Sequence, residues 1–283
     1  MKNKRTVSSL PLVSIGMPTY NRGHVVGRAI DSILKQTYEN FELIIADNAS
    51  MDNTQAVCEA YAKNDSRITY FRRLRNMGLG DNHNFTLTKS QGKYFMWAND
   101  DDVRHPEFLA KCVSRLMAEP GAVGAFCNYS QIDEQGNVRQ EYVPSKFLPM
   151  SSDLYTRLKQ YILLYCFDGK ANVVHALWVR KKIKPWREDW GQDMNFVFDS
   201  LTRGPIVLVD EVLFFKGTSQ IPFSSNPAGV LWRYLTRLVE CLPLVYYYIK
   251  SIWGTDGLDF FLKVKLSGYL FFAYTRFFYR WHV

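Results

Sequence analysis

An apolar run that ends in three carboxylates is the segment of this chain best suited to chemistry. Residues 94–98 are apolar or aromatic, and Asn99, Asp100, Asp101 and Asp102 follow them directly. Such a run predicts a buried strand, and open α/β sheets bind ligands beyond the carboxyl ends of their strands. Oxygen ligands of this kind suit Mg²⁺ or Mn²⁺, which takes further ligands from substrate phosphates. The pattern therefore indicates a metal–diphosphate site, with an acidic loop that caps the following helix as the alternative.

Polar residues also follow three other predicted strands. The three segments are Pro18, Thr19, Tyr20 and Asn21; Asp47, Asn48, Ala49 and Ser50; and Arg75, Asn76, Met77 and Gly78. Each alone is typical of an ordinary turn or a helix cap. Together, in this order and each after a strand, they indicate one ligand site at the carboxyl edge of a sheet.

The elements that must position these loops alternate between strand and helix. Predicted strands cover residues 13–17, 41–46, 68–71, 93–98 and 123–127, and predicted helices cover 25–35, a stretch through 56–61, 83–90 and 106–117. This order predicts an α/β fold with a mostly parallel sheet covered by helices. We expect Pro18 to stop the first strand and Ser50 or Asp52 to cap the second helix. In the less regular second half we expect a hairpin turn at 135–137, a helix at 193–202 and two strands, 206–209 and 212–215.

Composition limits the function classes. The chain has 283 residues, a formal charge of +8 and 47% hydrophobic residues, which is typical of a globular protein with an anionic partner. Zinc-finger and RNA-binding signatures are absent from the sequence, so no nucleic-acid partner is expected. The five cysteines are scattered, which favours reduced thiols in the cytoplasm. We also expect residues 1–10 to be a flexible tail and not a signal peptide.

The four loops and their flanking strands resemble the family-two glycosyltransferases of the GT-A fold. The resemblance rests on Val13 to Asn21, on Gln36-Thr37-Tyr38 with Phe41 to Thr54, on Arg75 to Leu79 and on Gly92 to Asp102. It covers residues 11–220 and is strongest up to Pro106. It implies that a sugar is transferred from a nucleotide-sugar with inversion at the anomeric carbon.

The resemblance implies roles for the nucleotide half. The base and ribose would lie over the first two strand ends, with Asp47 accepting a hydrogen bond from the base, since an ionised acceptor suits an imide N–H. Arg75 would lie near the diphosphate or the base, or else be an ordinary surface arginine.

The acidic run matches the family's Asp-x-Asp motif with one departure. Asn99 stands where the family has the first aspartate, so it can hydrogen-bond the ribose but adds no charge. Asp101 would bind the metal with Asp102 just after it, and Asp100 is a candidate to share the ion. Mg²⁺ or Mn²⁺ would neutralise the charge on the leaving diphosphate.

An inverting transfer also needs a base to deprotonate the acceptor hydroxyl. The family places an aspartate at the start of a helix in its second half, and Asp193 matches it best, with Gln192 in place of a frequent glutamate. Helix capping is the alternative role of Asp193. Asp189 and Glu188 are substitute bases, and Trp190 and Phe196 are candidates for an apolar wall that raises the pKa of the base.

Residues 11–226 are expected to form one glycosyltransferase domain, with a nucleotide half at 11–128 and an acceptor half at 129–226. Residues 227–283 would form a helical extension, since residues 231–283 hold 16 of the 43 aromatic residues and seven basic residues against three acidic ones. A predicted helical stripe contains Phe260, Val264, Phe271, Tyr274, Phe278 and Trp281, with Lys265, Arg276 and Arg280 away from it. Such a stripe fits a membrane interface, a packed helix or a dimer contact.

The sequence as a whole predicts a metal-dependent inverting glycosyltransferase of cell-surface polysaccharide synthesis, working in the cytoplasm or on the inner face of the cell membrane. The donor would be UDP- or dTDP-linked, and the acceptor a glycan or a lipid-linked sugar. The chain lacks the glutamine of the Gln-x-x-Arg-Trp motif of processive synthases, which favours single additions. The alternatives are a nucleotidyltransferase and an inactive nucleotide-binding module, the second suggested by Asn99 and Gln192.

Overall fold

The computed structural model describes residues 10–133, 135–143, 148–163, 170–187, 192–217 and 245–279. A nine-stranded mixed sheet with helices packed on it forms the body of the protein. The strands are β1 (Val13–Thr19), β2 (Phe41–Asp47), β3 (Ile68–Arg72), β4 (Tyr94–Trp97), β5 (Val103–Arg104), β6 (Gly124–Ile132), β7 (Val138–Tyr142), β8 (Leu177–Val179) and β9 (Ile206–Gly217). The helices are α1 (Val26–Leu34), α2 (Thr54–Asn64), α3 (Leu79–Lys89), α4 (Phe108–Ala118), α5 (Leu154–Leu163), α6 (Gln192–Leu201), α7 (residues 245–253) and α8 (Phe260–Tyr279).

The sheet has the strand order β3-β2-β1-β4-β8-β6-β9-β5, and β7 pairs with β6. The first four strands are parallel, as the alternation predicted, whereas β8 pairs antiparallel with both β4 and β6. The α/β class with a C-terminal helical region is therefore confirmed, and the sheet is mixed because β8 is antiparallel to both of its neighbours while β6 and β9 are again parallel. Strands β1 and β4 are buried on both faces, which explains why each is a largely apolar run, whereas β3 at the edge of the sheet is partly exposed.

The prediction that Pro18 stops the first strand is wrong. Strand β1 continues to Thr19 and pairs with β2 along its whole length, while its pairing with β4 ends at Gly16. The Gly16 carbonyl accepts a hydrogen bond from Ala98 on the β4 side. Pro18 lies two residues further along and faces the same side, where the partner strand has already ended. The lack of an N–H at Pro18 therefore costs β1 no hydrogen bond to a neighbouring strand.

The two strands predicted at 206–209 and 212–215 are one continuous strand, β9. Its register with β6 shifts near Cys127 and Asn128, where Asp210 and Glu211 lie opposite no partner in the ladder. A bulge of this kind bends a strand without ending it. The Asn128 side chain donates to Asp210 at 3.0 Å and holds the irregular segment in place. The predicted hairpin turn lies between β6 and β7, with Gly136 at a φ of +86°.

Helix α7 packs on the main body through two buried tyrosines. The Tyr248 ring stacks on Phe198 of α6 with a centroid distance of 4.6 Å, and the Tyr247 hydroxyl donates to Asp199 at 2.7 Å. Leu266 of α8 belongs to the same apolar core as the sheet. The boundary predicted at 226 and 227 lies outside the described residues, as do residues 1–9 of the predicted tail.

The described residues of the aromatic stripe of α8 face away from the protein body. Phe260, Val264 and Phe271 are exposed, and Leu266 and Leu270 make the inward packing instead. The remaining stripe side chains, at 274, 278 and 281, lie outside the described part. Within the described residues, no helix is both long enough and apolar enough to cross a bilayer.

Candidate active site

The parallel register brings the four polar loops to one edge of the sheet. Thr19 lies opposite Asp47, and Asp47 lies opposite Arg72, so β1, β2 and β3 end together. Trp97 pairs with Gly16, and the acidic run therefore begins beside the end of β1. The strand order therefore brings the loops together at the carboxyl edge of the sheet, where the sequence predicted them.

The first two loops are joined by hydrogen bonds between side chains and the backbone. The Asn21 N–H donates to the Ser50 hydroxyl at 2.9 Å, and the Met51 N–H donates to the side-chain amide oxygen of Asn21 at 2.8 Å. Asn21 and Ala49 both have positive φ angles, of 53° and 65°, and are the only described residues other than glycine to do so. Left-handed backbone of this kind clusters at functional sites, because the surrounding structure must hold it. Asn21 and Ser50 thus act as loop-building residues, and Tyr20 projects from the joined loops as an exposed side chain.

Asp47 is fully buried at the end of β2. Its carboxylate accepts a hydrogen bond from the Ser50 N–H at 2.8 Å and another from the Tyr70 hydroxyl at 2.7 Å. Burial and the neighbouring carboxylate raise the pKa of Tyr70, which therefore remains a donor. These bonds fix the carboxylate at the loop edge, and each oxygen keeps a second lone pair for another donor.

Asn48 holds the third loop in place. Its side-chain amide donates to Asn76 at 2.8 Å and to the Gly78 carbonyl at 3.2 Å, and its oxygen accepts from the Met77 N–H at 2.9 Å. The structure therefore gives Asn48 a positioning role. Arg75 is an exposed side chain of this loop, and its Nε lies 3.4 Å from the Met77 sulfur.

The three carboxylates of the acidic run point in different directions. Asp100 is buried and lies 3.7 Å from Arg22, a residue that the sequence reading overlooked although it directly follows Asn21. Burial raises the pKa of Asp100 to about 7. Asp102 is buried on the other side, where it accepts a hydrogen bond from the Gly217 N–H at 3.1 Å and lies 3.8 Å from Arg104. Burial raises the pKa of Asp102 as well.

Asp101 lies between them and is only partly buried. Its backbone carbonyl accepts a hydrogen bond from Arg28 of α1 at 3.2 Å, which fixes the middle of the loop. Nowhere in the described ranges do three His, Cys, Asp or Glu side chains converge as a metal-binding group. Asp100 turns towards Arg22 and Asp102 towards the end of β9, so their carboxylates point away from each other on the two sides of Asp101.

Asn99 lies beside His175, which comes from the second half of the chain. The Asn99 amide nitrogen is 3.5 Å from Nε2 of His175. Burial lowers the pKa of His175 far below its usual value, so the imidazole is neutral and can accept a hydrogen bond. No motif marks His175, because it is brought here from 76 residues away by the pairing of β8 with β4.

Asp193 lies in the first turn of α6, as expected. Its carboxylate accepts a hydrogen bond from the Met194 N–H at 2.8 Å. The neighbouring Gln192 packs so closely on Gly80 that a Cβ there would come within 2.5 Å of its side-chain oxygen. Since Gly80 is in the first turn of α3, directly after the third polar loop, this contact places the start of α6 beside the nucleotide half.

Phe196 of α6 is buried in an aromatic cluster at the same place. Its ring lies 4.9 Å from Trp97 at an angle of 82°, and Trp186 packs on both. Phe196 therefore packs on β4 of the nucleotide half through Trp97. Trp190, Asp189 and Glu188 lie outside the described residues.

Comparison with known proteins places this site in a family. The model of glycosyl transferase family 2 matches residues 14–179, which is more than half of the chain. An uncharacterised glycosyltransferase of Rickettsia conorii is 34% identical over 243 residues, 81% of this chain and 39% of the relative. One of Methanocaldococcus jannaschii is 27% identical over 86% of this chain and 80% of its own. The chain thus spans about two fifths of the length of the first curated relatives it matches.

A relative with a more specific name is the GalNAc(5)-diNAcBac-PP-undecaprenol beta-1,3-glucosyltransferase of Campylobacter jejuni. It is 33% identical over 164 residues, 57% of this chain and 50% of the relative.

Solved structures share the fold at low sequence identity. A crystal structure of Staphylococcus aureus TarS has a TM-score of 0.69 at 16% identity, covering 94% of this chain and 72% of that one. The mannosyltransferase PcManGT of Pyrobaculum calidifontis, in complex with GDP-Man and Mn²⁺, has a TM-score of 0.61 at 16% identity, covering 94% and 70%. The match of the family model over the strand-end loops and the sheet that carries them establishes that this chain belongs to glycosyl transferase family 2.

Proposed function

We propose that this chain is a metal-dependent, inverting and non-processive glycosyltransferase that uses a UDP- or dTDP-linked sugar. The observation that carries the proposal is the meeting of four polar loops at one sheet edge, with the start of α6 packed beside them. The first two loops are tied together by Asn21 and Ser50, and Asn48 ties the third to the second. A pocket built from rigid loops at this edge is suited to a nucleotide.

The donor would lie across these loops. Asp47 offers a fixed carboxylate to the base, Tyr20 an exposed ring, and Arg75 an exposed cation for the diphosphate. TarS has been solved in complex with UDP and with UDP-GlcNAc, which supports a uridine nucleotide for a chain of this fold.

The acidic run fits a divalent cation in its donor chemistry. Asp101 is partly exposed at the sheet edge, and Oδ2 of buried Asp102 has no hydrogen-bond partner among the described residues. Carboxylate oxygens suit Mg²⁺ or Mn²⁺, and PcManGT has been solved in complex with GDP-Man and Mn²⁺. A bound cation would supply positive charge to the leaving diphosphate. Asp101 and Asp102 would hold it, and Asp100 would contribute negative charge nearby.

The acceptor side begins at α6. Asp193 would accept the proton of the acceptor hydroxyl, since its helix start lies against the loop edge through Gln192 and Gly80. The glucosyltransferase of Campylobacter jejuni is named for an undecaprenol diphosphate-linked acceptor, which supports a lipid-linked glycan as the acceptor of this chain.

A lipid-linked acceptor would require access to a membrane surface. The outer face of α8, defined by Phe260, Phe261, Val264, Phe271 and Phe272, is exposed and apolar. Lys265 is exposed on the same helix and suits an anionic lipid surface. We therefore place the enzyme on the inner face of the cell membrane, with α8 lying in the interface.

Calorimetry of UDP binding with Mn²⁺ and with chelator tests the proposal. Wild-type protein should bind UDP more tightly with Mn²⁺, and Asp101→Asn should lose that difference. Asp81→Asn, which changes a carboxylate of α3 outside the acidic run, is the matched control and should keep it. Equal UDP affinity of the wild type with Mn²⁺ and with chelator would contradict the metal role. If the protein binds UDP but transfers no sugar from any donor in a panel of nucleotide-sugars, it is an inactive nucleotide-binding module.

A further inference from the structure

We propose that Asn84 of α3 is a positioning residue of the transfer step, because it fixes the segment that leads to Asp193. The inference rests on the proposed function, in which Asp193 is the base. Asn84 lies in the middle of α3, the helix that follows the third polar loop. It would act through the backbone of Trp186 and not by contact with a substrate.

The contact between Asn84 and Trp186 is reciprocal. The Asn84 side-chain nitrogen donates to the Trp186 carbonyl at 2.8 Å, and the Trp186 N–H donates to the Asn84 side-chain oxygen at 2.7 Å. The two residues are 102 positions apart in the chain. Residues 183–187 have neither helix nor strand of their own. One side-chain amide therefore supplies the two backbone hydrogen bonds that a neighbouring strand would otherwise make.

The Trp186 side chain makes a second contact with α3. Its indole stacks on the ring of His83, with a centroid distance of 4.2 Å and an angle of 21°. Burial lowers the pKa of His83 to about 4, so this ring is neutral at pH 7 and packs as an uncharged aromatic group. Trp186 is itself buried. Its backbone and its ring are thus both fixed to the same helix.

One face of α3 holds the chain at two points. Gly80, His83 and Asn84 have the spacing i, i+3, i+4 and therefore share that face. His83 and Asn84 contact Trp186. Gln192, the first residue of α6, packs on Gly80. The chain is thus attached to α3 at Trp186 and again directly before the candidate base.

Another face of α3 is bonded to the nucleotide half. The Asn82 side chain donates to the Ala46 carbonyl of β2 at 2.8 Å, one residue before Asp47. Helix α3 therefore sets the distance between the donor loops and the start of α6. Distances of this kind govern rate, since a misplacement of about 1 Å can cost about 10²-fold.

Steady-state kinetics and UDP calorimetry of Asn84→Leu test the proposal. Both hydrogen bonds to Trp186 are lost, so kcat should fall by about 10–10²-fold, while UDP affinity and the KM for the donor stay at their wild-type values. Asn84→Asp keeps an oxygen for the Trp186 N–H and should show a smaller fall in kcat. Asn128→Leu is the matched control, because it removes a side-chain hydrogen bond at the bulge of β9 and should keep the wild-type kcat.

A double variant separates an effect on the base from general damage. In the Asp193→Asn background, Asn84→Leu should cost little further rate, because the group that Asn84 positions is already lost. Losses that multiply in the double variant would overturn the proposal. A wild-type kcat for Asn84→Leu would overturn it as well.

Hydrogen exchange provides a test that needs no sugar transfer. The Trp186 N–H bonds to Asn84, and the Met194 N–H bonds to Asp193. Both amides should exchange faster in Asn84→Leu, whereas the amides of β2 should keep their wild-type rates. Unchanged exchange at Met194 would contradict the positioning role. Failure of the wild type to transfer any sugar would contradict the proposed function instead, and exchange would still report whether Asn84 fixes the start of α6.

Discussion

At the scale of single residues, the proposed transfer step depends most on Asp193. Asp193→Asn should lower the rate of sugar transfer by about 10²–10⁴-fold, the usual contribution of a general base. Donor binding should change little, because the base acts on the acceptor. Asparagine still caps helices, so a loss of rate would report the missing proton acceptor and not a damaged fold.

The same helix offers a matched control for this measurement. Asp199→Asn makes the identical chemical change in α6, where the side chain accepts a hydrogen bond from Tyr247 and has no proposed catalytic role. It should turn over at nearly the wild-type rate in steady-state assays. Near-normal turnover of Asp193→Asn would move the base to Asp189 or Glu188, the neighbouring carboxylates.

A second residue-scale prediction concerns recognition of the base by Asp47. Asp47→Asn keeps an oxygen for the Ser50 N–H but removes the charged acceptor, so UDP affinity should fall by about 1.5–3 kcal/mol. Tyr70→Phe is the control, because it removes the other hydrogen bond of Asp47 and leaves the carboxylate in place. Calorimetry that gives equal UDP affinity for Asp47→Asn and wild type would restrict Asp47 to building the loop.

At the scale of elements, α7 is part of the folded body and not a detachable appendage. Tyr248 is 2% exposed and stacks on Phe198, and Tyr161 of α5 lies nearby. Tyr248→Ala should lower the free energy of unfolding by about 3–5 kcal/mol, the range for removal of a buried aromatic ring. Denaturant unfolding measures this loss.

Tyr248→Phe keeps the stacked ring and is the control, with an expected loss much smaller than that of Tyr248→Ala. A single cooperative transition in the wild type should accompany the result, because Tyr248 and Leu266 share one core with the sheet. Two transitions, with only the first shifted by Tyr248→Ala, would instead indicate an independently folding extension.

At the scale of the whole molecule, the sequence predicted those features of the fold that depend on residues close together in the chain. The apolar runs of β1 to β4 and their polar ends are contiguous in sequence, so strand periodicity located the sheet edge. Contacts between residues far apart in the chain could not be predicted from the sequence. Asp102 accepts a hydrogen bond from Gly217, 115 residues away, and strand pairing brings His175 beside Asn99. The polar residues Asp210 and Glu211 interrupt the apolar pattern, so the sequence predicted two strands where the structure has one bulged strand.

The last prediction concerns how the whole protein meets a membrane. The body covers the inner side of α8 through Leu266 and Leu270, while Phe261 and Phe272 of its outer face remain exposed. Burial of such rings in the headgroup region, with about 1 kcal/mol for each nearby basic residue, can hold a protein at an anionic surface. Wild-type protein should therefore float with liposomes that contain anionic lipid and less with neutral ones.

The double variant Phe261→Ser/Phe272→Ser should remain in the soluble fraction, because it removes apolar area without touching the packed side of α8. Leu74→Ser removes a still more exposed apolar side chain from the nucleotide half and should float like the wild type. Flotation of the double variant at the wild-type level would assign membrane contact to another surface. If the wild-type protein floats with neither lipid, the outer face of α8 does not bind membranes and would instead suit a protein partner. A lipid-linked acceptor would then have to leave the bilayer to reach Asp193.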